Sequence, residues 1–350
     1  MGFPLGWYGE NRWTQKQSDS KVIGRLTTAV EFAGEEASPW GALKLIGGSA
    51  NPGLAQLISD QLQVPVTDAR LRRFPDGEIN VKIEDSMRGH DVFVIQPTCP
   101  PVNEHLMELF IILDALRRAS AGRVTAVVPY YGYARKERKT QPREPITAKL
   151  IANFITLAGA DRLLLLDLHA EAIEGFFDVP TDHLSPHRII SEYLLTRHLK
   201  NLTVVAPDAG GGRRAELVAN QLKAPIAFGY KRRSGDDEVE MIAVSGEVKG
   251  RDCVVVEDII TTGGTISKLA QSLHAQGANR VIVAATHPVL SGNAIERLKK
   301  ADVDEVIVTD SVPIPPEKLG PPLTVLSVAP LLAEAIIRVH ENRSVSELFR

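Results

Sequence analysis

The sequence predicts an α/β chain of two tandem domains, each a parallel sheet flanked by helices. Short apolar runs alternate with amphipathic stretches from Leu43 onward, the pattern of strands buried on both faces and separated by helices. Matched segments recur in the same order in the two halves. The length of 350 residues suits about two domains, at roughly 100–200 residues each.

The first 41 residues stand apart as an N-terminal extension. All three tryptophans (Trp7, Trp13 and Trp40) lie there among Gly, Ser, Gln and charged residues, without sustained periodicity. That composition favours a flexible tail, while the tryptophans keep an ordered arm open as the second reading. From there the first domain is expected over residues 42–185 and the second over 186–350.

Leu43-Lys44-Leu45-Ile46 reads as the first strand, Gly47–Gly53 as a loop and Leu54–Leu62 as a helix. Further strands are expected at Val92–Ile95, Val124–Val128, Leu163–Leu166, Val204–Ala206, Val254–Val256, Val281–Ala284 and Val306–Val308. Glu104–Ala119 and Ile266–Ala275 carry helical periodicity.

The internal repeat has three units. Arg88–Ile95 resembles Lys249–Val256, Gly122–Val128 resembles Asn279–Ala285, and Asp161–Asp167 resembles Asp304–Asp310. Chance likeness between any two parallel sheets is the alternative to duplication. The first half is 14 residues longer between its second and third units, where Tyr130–Pro145 falls. This basic, aromatic, proline-containing insertion reads as a projecting functional loop.

Composition sets outer bounds. Hydrophobic residues make up 44% and charged residues 24%, ordinary for a globular protein. A net charge of −3 argues against general nucleic-acid binding. Cys99 and Cys253, each in or beside an apolar run, suggest neither a disulfide framework nor a zinc site. The N-terminus lacks the apolar core of a signal peptide, and runs such as Leu163–Leu166 are too short to span a bilayer. A cytoplasmic protein without membrane partners is expected.

The segment Cys253–Leu269 carries the sharpest chemistry. An apolar strand ends in Glu257-Asp258, a loop of small residues follows, and a helix begins. Ligands of open parallel sheets bind beyond the carboxyl ends of strands. Gly263 and Gly264 let the backbone come close to a ligand. Successive loop N–H groups and the helix N-terminus favour a phosphate, and Thr261, Thr262 and Thr265 add hydroxyl donors. The two acids can accept hydrogen bonds from sugar hydroxyls, so a phosphorylated sugar satisfies both ends of the loop. A capped strand–helix turn explains the glycines and threonines but not two adjacent acids behind an apolar strand.

Weaker signals lie elsewhere. Asp76 and Glu78 flank Gly77 and could accept from an adenine amino group while Phe74 covers the base, although Pro-Asp-Gly alone makes a surface turn. Arg135, Lys136, Arg138 and Lys139 could hold nucleotide phosphates or form a solvated face. His169 and Asp208 each follow an apolar strand; one imidazole and one carboxylate suit a magnesium ion that draws its other ligands from phosphates and water. A lone His is more often a satisfied structural group. Lys231-Arg232-Arg233 is either a solvated basic turn or a source of positive charge for a phosphoryl-type transfer.

The 257–265 loop resembles the phosphoribosyl-diphosphate motif of type I phosphoribosyltransferases and of ribose-phosphate diphosphokinases, and likeness to the diphosphokinases extends over nearly all of residues 42–350. Arg73–Glu78 is similar to their adenine-binding segment, while Pro129–Lys139 and Arg143–Lys149 are similar to their ATP loop. Asp167–Ala170, Gly175–Asp178, Pro207–Gly211, Lys231–Arg233, Thr286–Gly292 and Leu331–Arg338 also have counterparts. The resemblance implies two tandem type I phosphoribosyltransferase domains, with the last helix a candidate to pack on the first domain. It implies transfer of the diphosphoryl group of ATP to C1 of ribose 5-phosphate, releasing AMP.

In that reading Lys231 and Arg233 stabilise transition-state charge. Phe74, Asp76, Gly77, Glu78, Arg135 and Lys136 bind ATP. Arg233, Glu257, Asp258, Thr261, Thr262, Gly263, Gly264 and Thr265 bind ribose 5-phosphate, and His169 and Asp208 hold Mg2+. Family members form hexamers with ATP sites shared between subunits, and phosphate and ADP are implied effectors. A phosphoribosyltransferase that consumes the diphosphate product and a non-catalytic regulatory paralogue are the alternatives.

The chain departs from the family pattern in places. The bacterial loop usually has two aspartates where this chain has Glu257-Asp258, and a further aspartate where it has Thr261. Lys136 replaces a common glutamine. Ser234-Gly235-Asp236-Asp237 stands where a Pro-Arg-Pro-Asn stretch is usual, which puts the closing dynamics of the catalytic loop in question.

Overall fold

Five consecutive buried residues in each of Asp91–Ile95 and Glu305–Thr309 mark strands covered on both faces. A computed structural model describes residues 39–233 and 239–349, with the side chains of 231–233, 239–242 and 349 outside that description. The N-terminal extension to residue 38 and Ser234–Asp237 therefore lie outside the described residues.

The first half runs β1 (Leu43–Gly47), α1 (Pro52–Leu62), β2 (Ala69–Arg73), β3 (Ile79–Ile83), β4 (Asp91–Ile95), α2 (Val102–Arg118), β5 (Arg123–Val128), α3 (Thr147–Ala158), β6 (Arg162–Leu166) and β7 (Thr181–Leu184). The second continues with α4 (His187–Leu195), β8 (Thr203–Ala206), α5 (Gly212–Leu222), β9 (Ile226–Arg233), β10 (Val239–Ser245), β11 (Asp252–Ile260) and α6 (Gly264–Ala275). It ends with β12 (Arg280–Pro288), α7 (Ala294–Lys300), β13 (Glu305–Thr309), β14 (Leu323–Leu326) and α8 (Ala329–His340).

Two main sheets result. The first has the order β1-β4-β5-β6-β7, all parallel. The second has β10-β9-β8-β11-β12-β13-β14, parallel except for β10. The orders match strand for strand when β8, β11, β12, β13 and β14 are laid on the first sheet. The three sequence repeats fall on β4 and β11, β5 and β12, and β6 and β13. Between the first two strands of each unit the chain inserts an antiparallel pair, β2-β3 in one half and β9-β10 in the other. The α/β class with parallel sheets is as the sequence predicts.

Element ends differ from expectation where tertiary pairing extends them. β11 runs past Val256 to Ile260 because β12 continues beside it, Glu257 opposite Ala285 and Ile259 opposite His287. Glu257-Asp258 therefore sits within the strand. The hairpin β2-β3 has no buried residue, and the alternation of Ile79-Asn80-Val81-Lys82-Ile83 is a strand signal that the sequence reading did not use.

The core of the first sheet draws on the end of the chain. Leu332, Ile336 and Ile337 of α8 are fully buried with Leu54 and Ile58 of α1. Each such side chain contributes about 1.5–3 kcal/mol on leaving water. Asp91 accepts from Arg123 Nε (2.8 Å) and pairs with His340 Nδ1 (2.8 Å), while Arg123 Nη2 donates to the Val339 carbonyl (2.9 Å). This buried network fastens α8 to β4 and β5.

Candidate active site

A cleft of about 1100 Å3 opens at the carboxyl ends of the strands, lined from the first half by Asp167–Ala172 and from the second by Asp208–Gly211 and the 257–265 segment. A second, of about 710 Å3, shares Asp167, Leu168, His169, Asp258 and Ile259 with it, so the two meet at that wall.

The 261–265 loop is shaped by its own carbonyls. Thr261 O accepts from Ser291 N–H (2.9 Å) and Thr262 O from Arg297 Nη1 (3.1 Å). Gly263 has φ +70°, a left-handed conformation that a β-carbon disfavours, and an added Cβ would stand 3.4 Å from Leu298 Cγ. Helix α6 starts at Gly264 with no side-chain cap, leaving its first N–H groups without partners along the helix. Loop and helix end together make an anion cradle.

The acids behind the cradle are electrically unequal. Asp258 is buried, and His169 Nδ1 lies 2.7 Å from its Oδ2. Although burial alone would raise its pKa, His169 and the Arg214 guanidinium hold the Asp258 carboxyl well below the ordinary range. Burial and the Asp258 charge push the pKa of Glu257 well above its usual value. One carboxylate oxygen of Asp258 is thus engaged by His169. The Asp258 hydrogen bond raises the pKa of His169.

Behind His169, Asp167 is buried with φ +40°, an uncommon conformation for a non-glycine residue. It accepts from Arg214 Nε (3.1 Å) and from the Thr286 hydroxyl, while its carbonyl accepts from His287 Nε2 (3.1 Å). Burial works against its charge, but Arg214, the nearby His187 and His287 and the Thr286 hydroxyl together outweigh it, so its pKa is lowered. Tyr130 meets His287 edge-on at 5.2 Å, adding an apolar contact between the halves.

The predicted site residues distribute unevenly. Glu257, Asp258, Thr261, Thr262, Gly263, Gly264, Thr265, His169 and Asp208 converge on the larger cleft. Arg135 and Lys136 line the smaller one. Phe74, Asp76, Gly77 and Glu78 do not line either cleft. They form the β2-β3 turn, where Phe74 N–H donates to Glu78 O (2.9 Å) and Glu78 N–H to Asp76 Oδ1 (3.2 Å), and Phe74 is 48% exposed. Lys231 and Arg233 lie at the end of β9, with side chains outside the described residues.

The insertion at 130–145 projects less than its composition suggests. Tyr131 is buried and its hydroxyl donates to Ala148 O (2.8 Å), because the aromatic start of the loop packs on the core. Glu144 accepts from Lys136 Nζ (2.8 Å), Thr140 N–H (2.8 Å) and Gln141 N–H (3.0 Å), folding the basic part back on itself.

Arg214 escaped the sequence reading. A signal existed: Arg213 and Arg214 occupy the first turn of α5, which has no acidic residue there, against the preference of a helix N-terminus for negative charge. Asp167, Thr286 and His287 were legible only as parts of longer motifs.

An imidazole whose Nδ1–H is held by a carboxylate keeps its Nε2 lone pair for a cation, and His169 has that arrangement. The Asp208 carboxylate lines the same cleft, with one oxygen accepting from Gly211 N–H (3.2 Å). Among the described residues no group of three or more His, Cys, Asp or Glu is arranged to hold a metal by itself. This donor set fits a hard cation that arrives with phosphate and water ligands. No described helix is long and apolar enough to cross a membrane.

Residues 43–159 match the N-terminal domain of ribose phosphate pyrophosphokinase, and residues 233–350 match the phosphoribosyl synthetase-associated domain. The ribose-phosphate pyrophosphokinase of Parasynechococcus marenigrum is 52% identical over 310 residues, covering 88% of this chain and 94% of that one. That of Bacillus subtilis is 49% identical over 307 residues, covering 88% and 97%. The crystal structure of phosphoribosylpyrophosphate synthetase from Mycobacterium smegmatis superposes with a TM-score of 0.82 at 45% identity, covering 86% of this chain and 99% of that one.

Proposed function

The chain belongs to the ribose-phosphate pyrophosphokinase family, and from that premise we propose how its own residues carry the reaction. It is an enzyme that transfers the diphosphoryl group of ATP to the C1 hydroxyl of ribose 5-phosphate, giving phosphoribosyl diphosphate and AMP. The observation that carries the residue-level reading is the meeting of two clefts, one with an anion cradle and one with a basic wall, at the His169–Asp258 pair.

Thr261–Thr265 holds the 5-phosphate through loop N–H and hydroxyl groups. Glu257, its pKa raised beside Asp258, hydrogen-bonds the ribose hydroxyls. Arg135 and Lys136 bind the ATP phosphates from the smaller cleft. Lys231 and Arg233 offset the charge that develops on the transferring group. The C1 hydroxyl attacks the β-phosphorus directly, so no protein nucleophile is needed. His169 and Asp208 would hold Mg2+, which when bound neutralises charge on the ATP oxygens.

The exposed Phe74–Glu78 turn supports a shared nucleotide site. Placed outside both clefts of its own subunit, it serves the adenine of a neighbouring subunit in a homohexamer. Phosphate and ADP act as effectors, and the protein works in the cytoplasm.

The test is incubation with ATP, Mg2+ and ribose 5-phosphate, with AMP and phosphoribosyl diphosphate followed by chromatography. Lys231→Ala is expected to lower turnover by about 10²–10³-fold, the range for losing a charge-stabilising donor, while ribose 5-phosphate still binds. Near-normal turnover would remove Lys231 from this role.

A further inference from the structure

The two clefts join at a point where one side chain touches both halves of the molecule. Arg214, in the first turn of α5, has a side chain only 11% exposed. Its Nε donates to Asp167 Oδ1 (3.1 Å), and its Nη2 points to the Leu168 carbonyl at 3.4 Å. Asp167 and Leu168 belong to the first half, at the end of β6, and Arg214 to the second. The guanidinium also faces Glu257 and Asp258 electrostatically.

This placement opposes local preference three times. A cation in the first turn of a helix works against the helix dipole. Asp167 takes a left-handed conformation that an L-residue avoids. Three acids, Asp167, Glu257 and Asp258, crowd one wall. Local rules broken together at one place indicate a site that the rest of the fold has to hold. Arg214 is itself the first of these and offsets the other two: it pins the left-handed turn, joined by Thr286 and His287, and it supplies charge opposite the acids.

On the reading proposed above, we infer that Arg214 is a positioning residue for diphosphoryl transfer. It clamps Asp167 and so sets the Asp167–His169 turn that presents His169 to Asp258. The cradle at 261–265 rests on β11 and α6 and makes its loop contacts without Arg214. Sugar-phosphate binding and the geometry of the nucleotide side should therefore separate when Arg214 is changed.

The test uses the full-length protein and the variants Arg214→Met, Arg214→Lys and Thr286→Val. Four quantities are measured: the Mg2+ concentration for half-maximal AMP formation, kcat, the dissociation constant of ribose 5-phosphate without nucleotide, and the melting temperature. Arg214→Met should raise the Mg2+ requirement or lower kcat by about 10–100-fold, as loss of an outer-shell partner does, with ribose 5-phosphate affinity within about threefold of wild type. Arg214→Lys, able to reach Asp167 but without the fork to Leu168, should recover part of the loss. Thr286→Val, which removes the second Asp167 contact, should shift the same parameters in the same direction.

The inference fails if Arg214→Met keeps wild-type kcat and Mg2+ dependence. It fails equally if ribose 5-phosphate affinity, kcat and melting temperature fall together, or if lysine recovers nothing. Should Arg214→Met not fold, Arg214→Lys and Thr286→Val decide by the same readouts, and an unchanged Mg2+ requirement and kcat in both overturns the inference. Absence of AMP formation in wild type would instead reject the functional reading itself.

Discussion

His169 Nδ1 lies 2.7 Å from Asp258 Oδ2, joining the end of β6 in one sheet to β11 in the other across 89 residues of sequence. The pair lies at once in the candidate site and in the packing of the two halves, which gives it a measurable signature in the metal-free protein.

The pKa of His169 is raised in the folded state from 6.5, and that of Asp258 is lowered from 3.8. Stability from His169 is fully present below its unfolded pKa and is lost as pH rises through the raised folded value. Stability from Asp258 is present above its unfolded pKa and is lost as pH falls toward the lowered one. The pair therefore contributes most between about pH 4 and 6.5. His169 is 38% exposed, so screening limits the contribution to about 1–2 kcal/mol. Thermal melts in chelator should show Asp258→Asn furthest below wild type in that window and closing on it above. A pH-independent gap would contradict this account.

Gly263 turns the chain into α6 at φ +70°. Gly263→Ala places a Cβ against Leu298 and forces an L-residue into the left-handed region, at about 1–2 kcal/mol. Weaker ribose 5-phosphate binding by calorimetry, together with a lower melting temperature, is expected. Unchanged affinity would show that the cradle tolerates a relaxed loop.

Glu144 holds the basic loop through Lys136, Thr140 and Gln141, contacts that lower its pKa to about 2. Glu144→Ala frees Lys136 and loosens residues 136–143. Trypsin should then cut after Lys136, Arg138 or Lys139 faster than in wild type, with the global melting temperature nearly unchanged. Mass spectrometry of early fragments reads the result, and equal cleavage rates would place the loop's order elsewhere.

Much of this protein is written in local pattern. Continuous apolar runs in β4, β5 and β13 announce strands covered on both faces, because burial on two sides leaves no room for alternation. The repeats foretell matching strand orders, since each unit buries the same faces. The candidate cradle from Thr261 to Thr265 was legible because its chemistry is contiguous: hydroxyls, glycines and a helix start follow one another along the chain. In the β2-β3 hairpin the signal was local but went unread: Ile79–Ile83 alternates half-buried and exposed residues, the two-residue period of a strand with one face on the core.

What tertiary structure alone decided is which strand ends face each other. His169 meets Asp258, and Arg214 meets Asp167 across 47 residues, only because the two sheets present their carboxyl ends to a common cleft. Periodicity reports which face of an element is buried, not which loop of one sheet will oppose a loop of another. That choice follows from packing of the halves through Tyr130 against His287 and the hydrogen bond from Asn51 to the Asp310 carbonyl (2.8 Å). The inequality of Glu257 and Asp258 has the same origin: two adjacent acids look alike in sequence, and while Arg214 acts on both, folding brings the His169 ring to Asp258 alone and pulls their pKa values apart.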